Sequence, residues 1–209
     1  MAKYNLKNSY SIEENYALGL LPQRNDKNFW YSDTSSRANL TSFQISSENR
    51  RIINKTQDFF YELKPLSTFK YDSSIQKTIF HWIKKLNWDF PISSVKKIFT
   101  NHLFNYVYIW KNQNNQIVAY SICYFSSQIS HIAYVFYDPT FSHGNLPIRL
   151  VLQTITDSHD KNLKFCYLGR FSLDCGYYKR NMPGFEYFKN NIWAKYNNSS
   201  TIDDLPSTI

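Results

Sequence analysis

Cysteine is scarce in this chain of 209 residues, which contains only Cys123, Cys166 and Cys175. Three unevenly spaced thiols are too few for a disulfide framework or a four-thiolate zinc site, so the sequence predicts a reduced protein without a metal or other cofactor. No run of about 18 apolar residues occurs, as a membrane-spanning helix would need. The polar stretch Met1–Tyr10 lacks the apolar core of a secretory signal. Together these absences predict a cytoplasmic protein that does not bind membranes.

Acidic residues are also few. The chain has 16 Asp and Glu and 24 Lys and Arg, which gives a net charge of +8. Charged residues make up only 19% of the chain and aromatic residues as much as 18%. This composition excludes a disordered polyelectrolyte and a coiled coil. The excess of positive charge favours a polyanionic partner.

Residues 1–103 are interpreted as loops and helices. One helix is predicted from Ser46 or Ser47 to about Leu63, and a short third helix from Ser93–Ser94 to Leu103, after the break at Pro91. Between them, a helix begins near Ser73–Ser74. Its apolar residues recur at the spacing of a single buried helix face; they are Ile75, Ile79, Trp82, Ile83 and Leu86.

From residue 104 the pattern changes to that of strands. Three runs rich in aromatic and β-branched residues are separated by short polar breaks, and they predict an antiparallel meander. The runs are Phe104–Lys111, Gln116–Phe125 and Ile129–Tyr137.

The segment after the meander predicts a helical crossover. A helix is expected over Asn145–His159 with Asn145 as its cap, followed by a strand over Lys164–Phe171. A strand, a helix and a second strand in one sheet require a right-handed parallel connection. The predicted fold class is therefore α+β, a mixed sheet with a meander, a crossover helix and a return strand, preceded by a small helical region.

This layout resembles the acetyltransferase (GNAT) superfamily. Members that use acyl-CoA hold its pyrophosphate on a glycine-rich turn at the start of the crossover helix, where backbone amides and the helix dipole meet the anion. The corresponding turn here, residues 141–147, has a single glycine, Gly144, and Pro147 removes one amide donor.

Three segments together resemble a narrower family, the arginyl- and leucyl-tRNA–protein transferases, which attach an amino acid from charged tRNA to protein N-termini. The resemblance spans residues 16–195 in the order and spacing of the family. The segments are Arg37 with Phe43, Ser46, Arg50 and Arg51; Phe136-Tyr137-Asp138-Pro139 with Ser142-His143-Gly144; and Tyr167-Leu168-Gly169 with Tyr178-Lys179 and Glu186. Met182 and Gly184 stand where the family prefers Phe and Pro.

The resemblance implies a division of the chain into three parts and the loss of the family's cysteine cluster. Residues 1–45 would correspond to the family's metal-binding part, 46–196 to the GNAT-like transferase domain, and 197–209 to a flexible tail. The family usually carries a cysteine cluster before its first arginine, but residues 31–36 contain no cysteine. Zinc or an iron–sulfur centre there is therefore not expected.

The resemblance also implies roles for particular residues, since aminolysis of an ester needs a deprotonated amine and donors for the developing oxyanion. The catalytic candidates are Asp138, Tyr178 and Lys179. The candidates for binding tRNA or its aminoacyl end are Arg37, Arg50, Arg51, His143 and Gly144, and those for the acceptor are Glu186 and Tyr137. Two simpler interpretations stay open: Arg50 and Arg51 are solvated helix residues, and Asp138 only caps a turn.

The predicted function is an aminoacyl-tRNA-dependent transferase. It would use arginyl-tRNA, or alternatively leucyl-tRNA, and would act on the N-terminal amine of a protein or peptide. Two alternatives remain. One is an N-acyltransferase that uses acyl-CoA, and the other is a non-catalytic module that binds RNA or peptide.

Overall fold

A computed structural model describes residues 10–172 and 176–196 of the chain. Cys175 and the tail predicted to be flexible, residues 197–209, lie outside the described residues. The strands are β1 Leu20–Pro22, β2 Trp30–Ser32, β3 Ser35–Asn39, β4 Phe60–Pro65, β5 Tyr106–Lys111, β6 Ile117–Phe125, β7 Ile129–Tyr137, β8 Phe165–Arg170, β9 Phe185–Lys189 and β10 Ile192–Lys195. The α-helices are α1 Ile12–Ala17, α2 Ser47–Lys55, α3 Ser73–Lys85, α4 Ile92–Thr100 and α5 Leu146–Asp160.

The chain divides into two compact units. The first unit comprises residues up to 45, residues 126–131 and residues from 154 onward, and the second comprises residues 46–125 and 132–153. Strand β7 contributes its first three residues to the first unit and the remainder to the second. The division predicted from the sequence, with boundaries at 45 and 196, stays a prediction.

In the first unit the strands follow the order β10-β9-β3-β8-β7. Strand β3 is antiparallel to both neighbours, whereas β7 is parallel to β8 over Ile129–His131. The predicted parallel crossover through a helix is thus confirmed. Strand β3 itself was not predicted, because its sequence Ser-Ser-Arg-Ala-Asn has neither β-branched nor aromatic residues. Strands on both of its sides bury it regardless of this weak local preference.

In the second unit the strands follow the order β7-β6-β5-β4, with β5 antiparallel to β4 and to β6. Helices α3 and α4 pack on this sheet. The predicted helix that begins near Ser73–Ser74 is confirmed as α3, and Ile79, Trp82 and Ile83 are buried in the hydrophobic core of the unit. Asp72 begins α3 by accepting hydrogen bonds from the backbone N–H groups of Ser74 and Ile75.

The prediction that residues 47–63 form one helix is wrong. Helix α2 ends at Lys55, and the Thr56 hydroxyl donates a hydrogen bond to the Ile52 carbonyl at 2.7 Å, which closes the last turn. Residues 60–65 then form β4, paired with β5 along its whole length. Phe60, which the predicted helix would have included, is therefore on an edge strand, where it is 58% exposed.

The crossover helix α5 begins one residue later than predicted, and Asn145 is not an extended cap. Asn145 has φ 63°, in the left-handed region, where it ends the 3-10 helix Pro139–Gly144. Asparagine tolerates this conformation better than most residues. Within the described ranges, no helix is long and apolar enough to cross a membrane.

Candidate active site

Two residues of the predicted site, Arg37 and Glu186, contact each other in the first unit. They lie opposite one another on β3 and β9. Both the Nε and an Nη of Arg37 lie 2.8 Å from Glu186 Oε2, and the Asn39 side chain donates to Oε1 at 3.0 Å. The side chains of Arg37 and Glu186 are only 10% and 8% exposed. Glu186 therefore accepts hydrogen bonds at both of its oxygens.

The Arg37 guanidinium also packs against two aromatic rings. Its Cζ is 3.7 Å from the ring centre of Phe165 and 4.1 Å from that of Trp193. A guanidinium over an aromatic face is attracted by the ring quadrupole, more strongly when water is excluded. Arg37 is thus held by Glu186 on its polar edge and contacts two aromatic rings.

A second cluster of the first unit centres on His131, which was not predicted. The Tyr16 hydroxyl lies 2.6 Å from His131 Nδ1, and the Tyr16 ring stacks on Tyr167 at a centroid distance of 4.7 Å. His131 and Tyr167 are opposite each other at the last register position of the β7–β8 pair. Burial raises the pKa of Tyr167, against an opposing effect of the Arg37 guanidinium.

Lys179 lies beside this cluster. Its Nζ donates to the Arg170 carbonyl at 2.7 Å. A Cβ added to Gly169 would lie 3.7 Å from His131 Nε2 and 3.9 Å from Lys179 Nζ. The Tyr-Leu-Gly and Tyr-Lys segments therefore converge beside His131. Tyr178, the neighbour of Lys179, is 37% exposed.

Asp138, in the second unit, caps the 3-10 helix that follows it. Its Oδ1 accepts hydrogen bonds from the Thr140 backbone N–H at 3.0 Å and from the Thr140 hydroxyl at 2.9 Å. Its own N–H donates to the Val118 carbonyl. The preceding residue, Tyr137, packs edge-on against Trp88, and burial raises its pKa. The geometry of Asp138 agrees with the turn-capping interpretation, while a role as base stays a proposal.

The segment 139–144, which includes His143 and Gly144, is a 3-10 helix rather than an open glycine loop. Its internal hydrogen bonds occupy several backbone amides. Thr140 N–H donates to Asp138 Oδ1, Phe141 N–H to the Asp138 carbonyl, and Asn145 N–H to the Ser142 carbonyl. Fewer amides can therefore point at an anion than in a glycine-rich turn.

Arg50 and Arg51 are exposed on α2, also in the second unit. Arg51 donates from Nε to Glu48 at 2.7 Å. The first unit thus contains four predicted site residues, and the second contains six. Those of the first unit are Arg37, Tyr178, Lys179 and Glu186, and those of the second are Arg50, Arg51, Tyr137, Asp138, His143 and Gly144.

Sequence reasoning missed His131 and Tyr16 because they are 115 residues apart and neither belongs to a motif. The only local signal was that His131, a titratable residue, lies within a run of residues predicted to form a strand. Among residues 10–172 and 176–196, no three His, Cys, Asp or Glu side chains are grouped as a metal site requires. The absence of a cofactor stays a prediction.

Comparison with solved structures shows the fold. The C-terminal domain of a protein classed as a lysylphosphatidylglycerol synthetase from Agrobacterium fabrum is similar at a TM-score of 0.50 and 12% identity, over 66% of this chain and 46% of that one. L-PGS from Bacillus licheniformis has a TM-score of 0.46 and 12% identity, over 69% and 47% of the two chains. An aminoglycoside acetyltransferase from an uncultured soil sample has a TM-score of 0.41 and 15% identity, over 61% and 89%. The chain thus spans about half the length of the first two structures, and its fold is the mixed α+β fold of GNAT-like acyltransferases.

Comparison of sequences identifies the family. No curated protein sequence matches this chain significantly. A family model described as "Arginine-tRNA-protein transferase, C terminus" matches residues 36–189, well over half of the chain. The match begins one residue before Arg37 and ends three residues after Glu186, so it encloses the buried pair and the segments around His131 and Lys179. This chain therefore belongs to the arginine-tRNA-protein transferase family.

Proposed function

We propose that this protein transfers the aminoacyl group of an aminoacyl-tRNA to the N-terminal amine of a protein or peptide, with arginine as the expected amino acid. The observation that carries the proposal is the family match over residues 36–189. The convergence of Gly169, His131 and Lys179 supports it, because it places a donor and a titratable ring beside one another in the first unit.

The proposed reaction balances without a cofactor. The neutral amine attacks the carbonyl carbon of the ester that joins the amino acid to the terminal ribose of the tRNA. A C–N bond forms and the C–O bond breaks. The amine loses a proton, and the departing ribose oxygen gains one. Because the ester is already activated, positioning and proton transfer account for most of what the protein must supply.

Lys179 and Tyr178 are assigned to the oxyanion that develops on the carbonyl. The Lys179 ammonium is held by the Arg170 carbonyl at 2.7 Å, so it is a partly oriented donor. Donors oriented before the reaction stabilise developing charge without reorganisation. Tyr178 is the more exposed of the two residues and supplies a second donor, its phenolic hydroxyl.

Asp138 is assigned to the removal of the amine proton. Its Oδ1 already accepts two hydrogen bonds from Thr140, so Oδ2 is the oxygen that would take the proton. Arg37 and Glu186 are assigned a supporting role, since each satisfies the other in a buried site. This assignment departs from the direct contacts with tRNA and acceptor that the sequence led us to expect.

The structure argues less well for acyl-CoA as the donor. The amides of Thr140, Phe141 and Asn145 are engaged inside the segment before α5, and Pro147 has none. A pyrophosphate at this helix start would therefore find few donors. Only a measurement of turnover separates the proposed enzyme from a non-catalytic module that binds RNA or peptide.

The test is transfer from a panel of charged tRNAs to a defined peptide. The purified chain is incubated with tRNAs carrying radiolabelled arginine, leucine or lysine and with a peptide that has a free N-terminus. The expected product is the peptide enlarged by one arginine residue, detected by mass spectrometry. The same peptide with an acetylated N-terminus is the matched control and should not react.

Two outcomes would contradict the proposal. Transfer from acetyl-CoA but from none of the charged tRNAs would identify an acyl-CoA-dependent acyltransferase. Binding of tRNA without modified peptide, under conditions where the ester remains intact, would identify a non-catalytic module. Transfer of leucine or lysine in place of arginine would keep the reaction class and correct the amino acid.

A further inference from the structure

A cavity of about 620 Å³ lies in the second unit. Its nine lining residues come from the connection between β4 and α3, residues 66–71, and from residues 99–104 at the end of α4 and beyond. A volume of this size suits a small organic group. The cavity lies near the start of β5, which pairs with the end of β6, whereas Asp138 bonds Val118 near the start of β6. It is thus separate from the Asp138 segment.

Aromatic rings dominate the lining; they belong to Phe69, Tyr71, Phe99, His102 and Phe104. Phe99 and Phe104 are buried in the hydrophobic core, whereas the other three are half-buried. Each half-buried ring is supported by a core ring: Tyr71 and Phe69 lie 5.0 and 5.7 Å from Phe99, and His102 stacks on Phe104 at 4.2 Å with an interplanar angle of 3°. Rings supported in this way suit a planar aromatic ligand.

The one charged residue in the lining is a cation. Lys70 lines the cavity, and none of the nine lining residues is acidic. The neighbouring carboxylate, Asp72, accepts hydrogen bonds from the start of α3 and, after burial, is the second cause of the raised pKa of Tyr71. Lys96 precedes the lining residue Thr100 by one helical turn, and its carbonyl accepts a bond from the Thr100 hydroxyl at 2.8 Å.

The second unit as a whole carries an excess of positive charge. It contains twelve Lys and Arg against six Asp and Glu, and so accounts for most of the net charge of +8. An excess of positive charge of this size favours a polyanion, such as a strand of phosphates, over a single phosphate.

We propose that this cavity binds an unpaired nucleotide of an RNA strand, whose base packs against Phe69, Tyr71 and His102 and whose phosphate contacts Lys70. A nucleotide joins a planar ring to an anion, which is the combination that the lining offers. The excess of positive charge in the unit favours a nucleotide within a strand over a free one. The inference rests on the proposed function only in naming tRNA as the RNA expected.

The test is the binding of a fluorescein-labelled octamer of single-stranded oligo(A) to the full chain, followed by anisotropy. The same RNA in a duplex is the control and should bind more weakly at equal salt, because its bases are stacked and paired. Phe69→Leu should weaken binding to the single strand about fivefold or more, the effect of losing one stacking platform. Lys70→Gln should weaken it and lower the salt slope by about 0.7, the value for one phosphate of a single strand.

Lys77→Gln is the matched control, since Lys77 is exposed on α3 and does not line the cavity. It removes the same charge and should have a smaller effect than Lys70→Gln. If Lys70→Gln and Lys77→Gln behave alike, or if a folded Phe69→Leu binds like the original chain, the proposal is wrong. Displacement of the octamer by millimolar AMP but not by inorganic phosphate would support it, whereas binding of AMP without binding of the octamer would contradict the choice of a strand.

This assay uses uncharged RNA and no acceptor. Loss of RNA binding in Phe69→Leu, in a chain that performs no transfer, would uphold the cavity and refute the proposed function. Normal RNA binding in the variants, in a chain that transfers arginine, would refute the cavity proposal and uphold the proposed function.

Discussion

Glu186→Gln removes the negative charge from the buried pair and provides the sharpest test of the site. Arg37 then keeps its charge between Phe165 and Trp193, with a neutral amide in place of the carboxylate. Removing one partner of a buried ion pair costs about 3–5 kcal/mol, because the other charge is left buried without compensation. We expect the lower end of that range, since the Gln oxygen can still accept from Asn39 or Arg37.

Urea denaturation measures the loss as a lower midpoint at unchanged slope. Glu48→Gln is the matched control. It breaks an Arg–Glu pair of the same chemistry on α2, in which both side chains are about half exposed, and we expect no resolvable change. The double variant Arg37→Met/Glu186→Leu should lose less stability than Glu186→Gln, because neither charge remains.

The reasoning would be refuted if Glu186→Gln and Glu48→Gln unfolded at the same urea concentration. A Glu186→Gln variant of normal stability, with a raised Michaelis constant for the acceptor peptide, would instead support direct binding of the acceptor by this carboxylate.

Three further predictions follow from the second unit. Replacing both Arg50 and Arg51 by Ala should weaken tRNA binding and lower its salt slope by about one to two counterions at unchanged melting temperature; an unchanged slope would leave them solvated helix residues. Asp138→Asn should lower turnover by roughly 10²-fold if Asp138 is the base, whereas a cap alone predicts a loss of about 1 kcal/mol in stability and normal turnover per folded molecule. Burial, with a smaller effect of Asp72, raises the pKa of Tyr120 to about 12. The folded state therefore favours the neutral phenol, so the free energy of unfolding should not depend on Tyr120 ionisation below about pH 10 and should fall as the pH rises toward 12. The urea midpoints at pH 9 and pH 11 should differ less in Tyr120→Phe than in the original chain.

The local pattern of the sequence was sufficient for elements that bury a regular apolar face. The spacing of Ile79, Trp82 and Ile83 predicted α3. The aromatic and β-branched runs predicted β5, β6 and β7, and the helix pattern over Asn145–His159, followed by a strand pattern, predicted the crossover to β8. Helix α3 follows from its periodicity because it buries one face, whereas β6 follows from a continuous apolar run, since residues 118–123 are all buried.

Only the tertiary structure decided the elements and contacts that depend on distant partners. Strand β3 consists of small and polar residues that indicate no strand, and it forms because β8 and β9 pair with both of its edges. The same pairing sets Arg37 opposite Glu186, 149 residues away, and joins them in an ion pair where the sequence suggested two ligand contacts. Tyr16 and His131 likewise meet only in the fold. Residue types and motif order are local properties that a sequence displays, but whether a charged side chain faces a ligand or another side chain depends on which strands become neighbours.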